Sequence, residues 1–359
     1  MSTATDARIV VADDSGLMRR VVSNALEREG FTVVGAARNG DEALALCRRH
    51  RPAAMTLDLA MPGLDGMGVL RELQKGGQAE YPDVPVVVVS AFSPAHGARA
   101  VDALAEGAFD LVAKPAAGEP LAPFVTELGD KVRAAAASRR PRLTGIGNGR
   151  LRRPAAARAP RRASHPPRGA PGPARAAVSG SAPRGPRARG ARLPRLTARL
   201  GAGTLIVQHM PAGFTASLAQ RLDRACRLHV VEAAGQESLD PGVALLAPGG
   251  AHLRLADGGR TRLSDAPPIG ALRPRADLTI ADIAEAYGER VLLVVLTGMG
   301  RDGLDGARAV KRRGGRVLVE AESSCTVYGM PRAIAEAGLA DAIVDLRDLS
   351  TAIVQEAGG

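Results

Sequence analysis

Two blocks of short apolar runs alternating with amphipathic stretches organise this chain, separated by a stretch that has neither. Residues 8–12 (Arg-Ile-Val-Val-Ala) read as a buried strand. Helical spacing follows over 17–29, with Leu17, Val21, Val22, Ala25 and Leu26 on one face, and stops at Gly30. Further strands are expected over 31–36, 54–58, 84–90 and 110–112. Helices are expected over 40–49, from the Pro62-Gly63 loop to Gln74, up to Ala105, and over 121–137. Five strands alternating with five helices predict a doubly wound, flavodoxin-like parallel sheet.

From about Ala134 to Gly190 the periodicity collapses into Arg, Pro, Ala and Gly, leaving no apolar face to order the segment. Alternation resumes near Leu193. Strands are expected over 204–208, 228–232, 242–247, 291–296 and 316–320, and helices over 214–225, 276–287, 304–312 and 331–337. Residues 252–255 and 261–263 form a candidate hairpin around Asp257-Gly258-Gly259. The whole reads as an α/β protein in three parts. These are an N-terminal domain over 1–133, an unordered Arg/Pro/Ala-rich linker over 134–190, and a second α/β domain with a mainly parallel sheet over 191–357.

Charge changes this picture only in the linker. The formal net charge is +11, but 13 Arg and no acidic residue lie between Pro141 and Arg192, so the rest of the chain carries −2. The basicity therefore belongs to one segment and not to the folded domains. Specific nucleic-acid binding is not expected, and at 2% aromatics, with no Trp, the chain lacks stacking platforms for single strands. Cys47, Cys226 and Cys325 are far apart with no CxxC pair, which suggests neither a zinc site nor a disulfide framework and fits a reducing cytoplasm. No apolar run reaches the ~18 residues of a membrane span, and the N-terminus lacks a signal-peptide core.

Open parallel sheets bind ligands beyond the carboxyl ends of their strands. That edge of the first domain receives Asp13 and Asp14 after the first strand, Asp58 after the third, Ser90 after the fourth and Lys114 after the fifth. Any one of these acids could be a helix cap, but converging carboxylates repel each other unless a hard cation sits among them. Mg2+ is the natural candidate. A lysine and a hydroxyl beside them suit a phosphoryl group carried on a carboxylate. In this order the residues resemble the receiver domain of response regulators over 7–130. The resemblance implies Asp58 as phosphoacceptor, Asp13, Asp14 and Asp58 as Mg2+ ligands, Ser90 as the switch hydroxyl and Lys114 as the phosphate-pairing cation. It also places the family's usual cis-proline at Lys114-Pro115. Leu111 departs from it, standing where many receivers carry a switch Tyr or Phe.

In the second domain Gly298, Gly300 and Gly303 satisfy GxGxxG after a strand and before a helix, with Glu320 near the place of a ribose-binding acid. Charge argues against a dinucleotide site: Asp302 would stand where a pyrophosphate needs bare N–H groups. His209 and Asp302 both follow apolar strands and can reach one crevice, as a base and the carboxylate that orients it. His229 and His252 lack that context and read as structural or surface residues. Val207-Gln208-His209-Met210-Pro211, the run from Leu296 to Gly303 and Val327-Tyr328-Gly329-Met330-Pro331 resemble the chemotaxis protein-glutamate methylesterases over about 193–350. The receiver-first order agrees. That resemblance implies a Ser-His-Asp hydrolase that needs no cofactor, with His209 as general base, Asp302 as its partner and Met299 near the oxyanion site. It implies methylated chemoreceptors as substrate, glutamine deamidation as a second activity, and a chemotaxis histidine kinase as phosphodonor.

The family's nucleophile turn, Gly-x-Ser-Thr-Gly-Gly-Pro, is absent. Its place holds the run from Val178 to Pro186, in which Ser181 is the nearest candidate nucleophile and Gly185 the remaining turn glycine. The alternative function is therefore a catalytically inactive receiver protein that acts as a phosphate sink or docking regulator. We hypothesise that the segment is read out of frame. Gly180-Ser181-Ala182-Pro183, written GGA TCA GCA CCG, gives Ile-Ser-Thr and the start of Gly when read from its third base. Resequencing the gene is expected to reveal an intact Ser-Thr-Gly-Gly frame; confirmation of the reading as it stands sinks the hypothesis.

Overall fold

The computed structural model describes residues 7–75, 84–91, 94–116, 118–138, 175–180, 203–256 and 258–356. The first domain runs β1 (Arg8–Ala12), α1 (Gly16–Arg28), β2 (Thr32–Ala37), α2 (Gly40–His50), β3 (Ala54–Leu57), α3 (Gly66–Lys75), β4 (Val86–Ser90), α4 (Pro94–Ala105), β5 (Asp110–Ala113) and α5 (Leu121–Ser138). Its five strands pair in the order β2-β1-β3-β4-β5, every pair parallel. The strand side chains alternate between two buried faces. Val10, Met55, Leu57, Val86, Val88 and Leu111 pack on one side, and Ile9, Val11, Ala54, Val87, Val89 and Val112 on the other. Burial on both faces explains why these strands are continuous apolar runs with no polar alternation. Local caps set the helix starts: Ser15 accepts from Met18 N, and Asn39 from Glu42 N at 2.9 Å.

The second domain contributes β6 (Arg175–Gly180), β7 (Thr204–Gln208), α6 (Phe214–Ala225), β8 (His229–Glu232), β9 (Val243–Leu246), β10 (His252–Leu255) and β11 (Thr261–Ser264). These are followed by α7 (Ala276–Tyr287), β12 (Val291–Val295), α8 (Leu304–Arg312), β13 (Arg316–Glu320), α9 (Met330–Glu336), β14 (Ala342–Val344) and α10 (Leu349–Glu356). Seven parallel strands form one sheet in the order β14-β13-β12-β6-β7-β9-β8. β10 and β11 form the expected antiparallel hairpin outside it. The order reverses between β6 and β12, which opens a crevice at their carboxyl ends.

Three expectations need correction. Residues 175–180 fall in the span read as linker, yet they form β6 at the centre of the sheet, paired with β12 over Arg175–Ser179 and with β7 over Ala176–Gly180. Of Arg-Ala-Ala-Val-Ser-Gly only Val178 favours a strand, and the two flanking ladders supply what propensity does not. The first domain also extends beyond residue 133, because α5 continues to Ser138 with Ala135 buried on its inner face. Finally, the Lys114–Pro115 bond is trans, and Arg273–Pro274 is the cis bond among the described residues. Trans is the default for X-Pro by about 0.5–1 kcal/mol, and Lys114 reaches its partners from it. β14 and α10 were missed altogether. β14 has three residues, none of them buried, and α10 is short, with only Leu349 and Ile353 buried.

The two domains pack through α4 and α6. Met210 and Phe214, from the second domain, join the buried cluster on one face of the receiver sheet. Val327 packs against the cluster on its other face. Arg221 pairs with Asp102 across the contact, but both side chains are about half exposed, so the pair adds little. Among the described residues no helix is long and apolar enough to cross a membrane.

Phe214 is fully buried. Phe214→Ala is expected to cost about 3–5 kcal/mol through lost burial and the cavity left behind. Ile343→Ala, at a position 56% exposed, is expected to stay within about 0.5 kcal/mol. Urea unfolding of the two variants checks the contrast.

Candidate functional site

The carboxyl edge of the receiver sheet brings together every acidic-pocket residue expected there. Asp13 and Asp58 are buried, at 2% and 4% exposure, and Asp14 is exposed beside them. Carboxylate oxygens of the three lie within 4.8 Å of one another. Lys114 Nζ sits 2.7 Å from Asp13 Oδ2 and 2.8 Å from Asp58 Oδ2. Burial works against the Lys114 charge, but the two carboxylates outweigh it and raise its pKa. Burial raises the Asp13 carboxyl, Lys114 opposes that, and neighbouring Asp58 adds to it. Ser90 is 1% exposed, and its hydroxyl has no hydrogen-bond partner among the described residues. A pocket with crowded acids, one shared cation and an unpaired hydroxyl fits a hard cation and a phosphoryl group. Gly66 lets α3 begin against this edge: a Cβ there would come within 2.3 Å of Asp58 O.

At the carboxyl edge of the second sheet, His209 follows β7 and Asp302 lies in the loop between β12 and α8. His209 Nε2 and Asp302 Oδ2 are 2.7 Å apart. The Asp302 side chain has no exposed surface, and that of His209 is 9% exposed. Asp302 Oδ2 also accepts from Ala276 N at 2.7 Å, and Oδ1 from Asp277 N at 2.9 Å. Burial alone would raise this carboxyl. His209 and the two α7 N–H groups outweigh burial and hold it at about 2. Because Nε2 faces the carboxylate, the assigned tautomer carries its proton there and leaves Nδ1 as the basic nitrogen.

The three motif strings meet in space. Gly298 N donates to Val327 O at 3.0 Å, and Met330 N to Gly298 O at 2.8 Å. Thr297 and Val327 exchange hydrogen bonds through the threonine hydroxyl. Gly329 makes this approach feasible: a Cβ there would meet Gly298 O at 2.6 Å. Met299 is 40% exposed on the loop so formed.

Glu320 is fully buried and turns inward, accepting from Thr297 N at 2.9 Å and from the Ser324 hydroxyl. It stabilises the Thr297 loop and is not presented to a ribose. His252 is buried, accepting from Arg275 N and facing Pro267 O. His229 is exposed and pairs with Asp223. Ser181 lies outside the described residues; β6 ends one residue before it, with Gly180 in register with Gln208. Two residues that bear on the site escaped the sequence reading. Arg275 Nε lies 3.0 Å from Asp302 Oδ1, and Asp277 is 2.8 Å from Arg275 Nη2. The available signal was a charged pair at the start of a helix, which usually means nothing more than a cap.

A family model of the response regulator receiver domain matches residues 9–125, and one of the CheB methylesterase matches residues 177–353, a span that takes in most of β6. The protein-glutamate methylesterase/protein-glutamine glutaminase of Symbiobacterium thermophilum is 39% identical over 98% of this chain and 97% of its own length. The Myxococcus xanthus protein so named and numbered 5 is 41% identical over 95% of each. The solved Thermotoga maritima CheB methylesterase catalytic domain is similar over 51% of this chain and 98% of its own, at 39% identity and a TM-score of 0.48. Relatives at this identity and coverage show the family: the chain belongs to the protein-glutamate methylesterase/protein-glutamine glutaminase family, with a response regulator receiver joined to a methylesterase domain.

Proposed function

We propose that this protein hydrolyses methyl esters on glutamates of chemoreceptors, and deamidates glutamines there, under control of phosphorylation at Asp58. The observation that carries the hydrolase reading is the His209–Asp302 pair, 2.7 Å apart and buried at the crevice beside β6. In this reading Ser181, directly after the strand end at Gly180, supplies the nucleophilic oxygen. Its hydroxyl oxygen bonds to the ester carbon as the proton passes to His209 Nδ1, and Asp302 stabilises the imidazolium. The carbon–oxygen bond to the methoxy group then breaks, and that proton leaves with methanol. Water, deprotonated by the same nitrogen, releases the glutamate carboxylate and restores the serine. With glutamine the leaving group is ammonia. Backbone N–H groups around Met299 are the candidates to hold the oxyanion.

In the receiver, Asp13, Asp14 and Asp58 would hold Mg2+, which supplies positive charge to the transferred phosphoryl oxygens. Asp58 accepts the phosphoryl group from a phosphohistidine of a chemotaxis kinase. Lys114 pairs with the new anion, and the unpaired Ser90 hydroxyl donates to it. The phosphoryl group would draw Lys114 off the Asp58 carboxylate at the end of β5, and α4 packs both beside β5 and on α6. Met210 adjoins His209 and is buried in the receiver cluster. Unphosphorylated receiver would therefore restrict the crevice, and phosphorylation would shift the pair of domains toward an open arrangement. The receptors' cytoplasmic part is the setting in which such a protein would act.

Methanol release from a methylated receptor tests this directly. His209→Ala and Asp302→Asn are each expected to lower the rate about 10⁴-fold; an active His209→Ala variant sinks the catalytic assignment. A phosphodonor with Mg2+ is expected to raise the rate, and Asp58→Asn to remove that rise.

The pH dependence follows from the carboxylate. His209 and the α7 amides hold the Asp302 carboxyl well below the usual carboxylate range, so Asp302 does not lose its charge within the acid limb of the activity profile. The acid limb of log kcat/KM is expected to have a slope of about one. A slope of two would place a second essential protonation at the pair.

A further inference from the structure

Two buried carboxylates stand side by side at the N-terminus of α7, and one cation joins them. Asp277 is 9% exposed. Its Oδ1 accepts from Gly306 N at 2.9 Å, and Oδ2 faces Arg275 Nη2 at 2.8 Å. Arg275 Nε is 3.0 Å from Asp302 Oδ1. The arginine is itself held in place, since its backbone N–H donates to His252 Nδ1 at 3.1 Å and its Nη1 reaches Ile269 O. Its side chain is 21% exposed, so water screens these contacts only in part.

The charges facing this point come from every element around it. β7 is followed by His209, β10 carries His252, and α7 contributes Asp277. The loop after β12 contributes Asp302, and Asp305 on α8 acts on Arg275 from further away. Without Arg275, Asp277 and Asp302 would be two anions in one buried corner. Such a pair either takes up a proton or pulls positive charge onto a neighbouring base. The neighbouring base is His209.

We propose that Arg275 is a positioning residue of the hydrolase, bridging Asp277 and Asp302 so that one net negative charge, directed by Asp302, acts on His209. This rests on the reading of His209 as the general base. The bridge keeps the imidazole available to take a proton while leaving its carboxylate partner ionised and oriented.

The test follows the His209 ring-nitrogen NMR signals against pH in the full chain, which requires no turnover. Arg275→Gln is expected to move the midpoint of the His209 titration upward by roughly one unit, the effect of one uncompensated charge at this range. Arg275→Lys is expected to hold the midpoint close to that of the unsubstituted protein. Arg275→Gln/Asp277→Asn, which removes the surplus anion with the cation, is expected to return it. An unmoved midpoint in folded Arg275→Gln overturns the proposal, and so does a double variant that keeps the raised midpoint. If Arg275→Gln alone does not fold, a folded double variant supports the charge role, and failure of the double variant as well overturns it in favour of a packing role. A chain that shows these shifts but releases no methanol keeps the charge bridge and overturns the hydrolase reading on which its positioning role rests.

Discussion

A carboxylate without exposed surface must be given donors on every side or surrender its charge. Asp302 meets that demand in full, and much of the second domain is arranged around it. Its two oxygens offer about four acceptor directions. Five donors crowd onto them: His209, the Ala276 and Asp277 amides that open α7, Gly303 N and the Arg275 side chain. The donors come from three places: the residue after β7, the start of α7 and the turn before α8. Satisfying one side chain therefore fixes the end of β7, the start of α7 and the turn into α8 relative to one another. The orientation of His209 follows from that assembly.

The receiver pocket meets the same demand differently. Its acids are not saturated by protein donors. Lys114 is shared between Asp13 and Asp58, Asp14 is open to water, and the Ser90 hydroxyl is unpaired. One pocket is complete without a ligand and holds its charge permanently. The other is left unbalanced, which suits a group that comes and goes. The two are linked mechanically through the packing of Met210 and Phe214 into the receiver core.

Much of this was legible in the sequence, for a physical reason. Parallel strands buried on both faces are written as unbroken apolar runs, so β3, β4, β7 and β12 could be located and the residues following them read as site residues. Asp13, Asp58, Ser90, Lys114, His209 and Asp302 all stand where that logic put them. What escaped was non-local. β6 has small residues and owes its place to ladders with β7 and β12. Arg275 and Asp277 look like ordinary cap residues until Arg275 is seen to join Asp277 to Asp302, over twenty positions away. The trans bond at Pro115 and the inward turn of Glu320 depend on packing that no short window records.

The central position of β6 has a practical consequence for dissecting the chain. Composition invites a cut near residue 191, after the Arg/Pro-rich stretch. A fragment begun there would contain β14-β13-β12 and β7-β9-β8 with nothing hydrogen-bonded between them. The sheet would be two half-sheets facing an open seam, each with a newly exposed edge inviting a stray strand from another molecule. An isolated hydrolase unit must therefore begin upstream of Arg175, carrying with it basic sequence that looks dispensable.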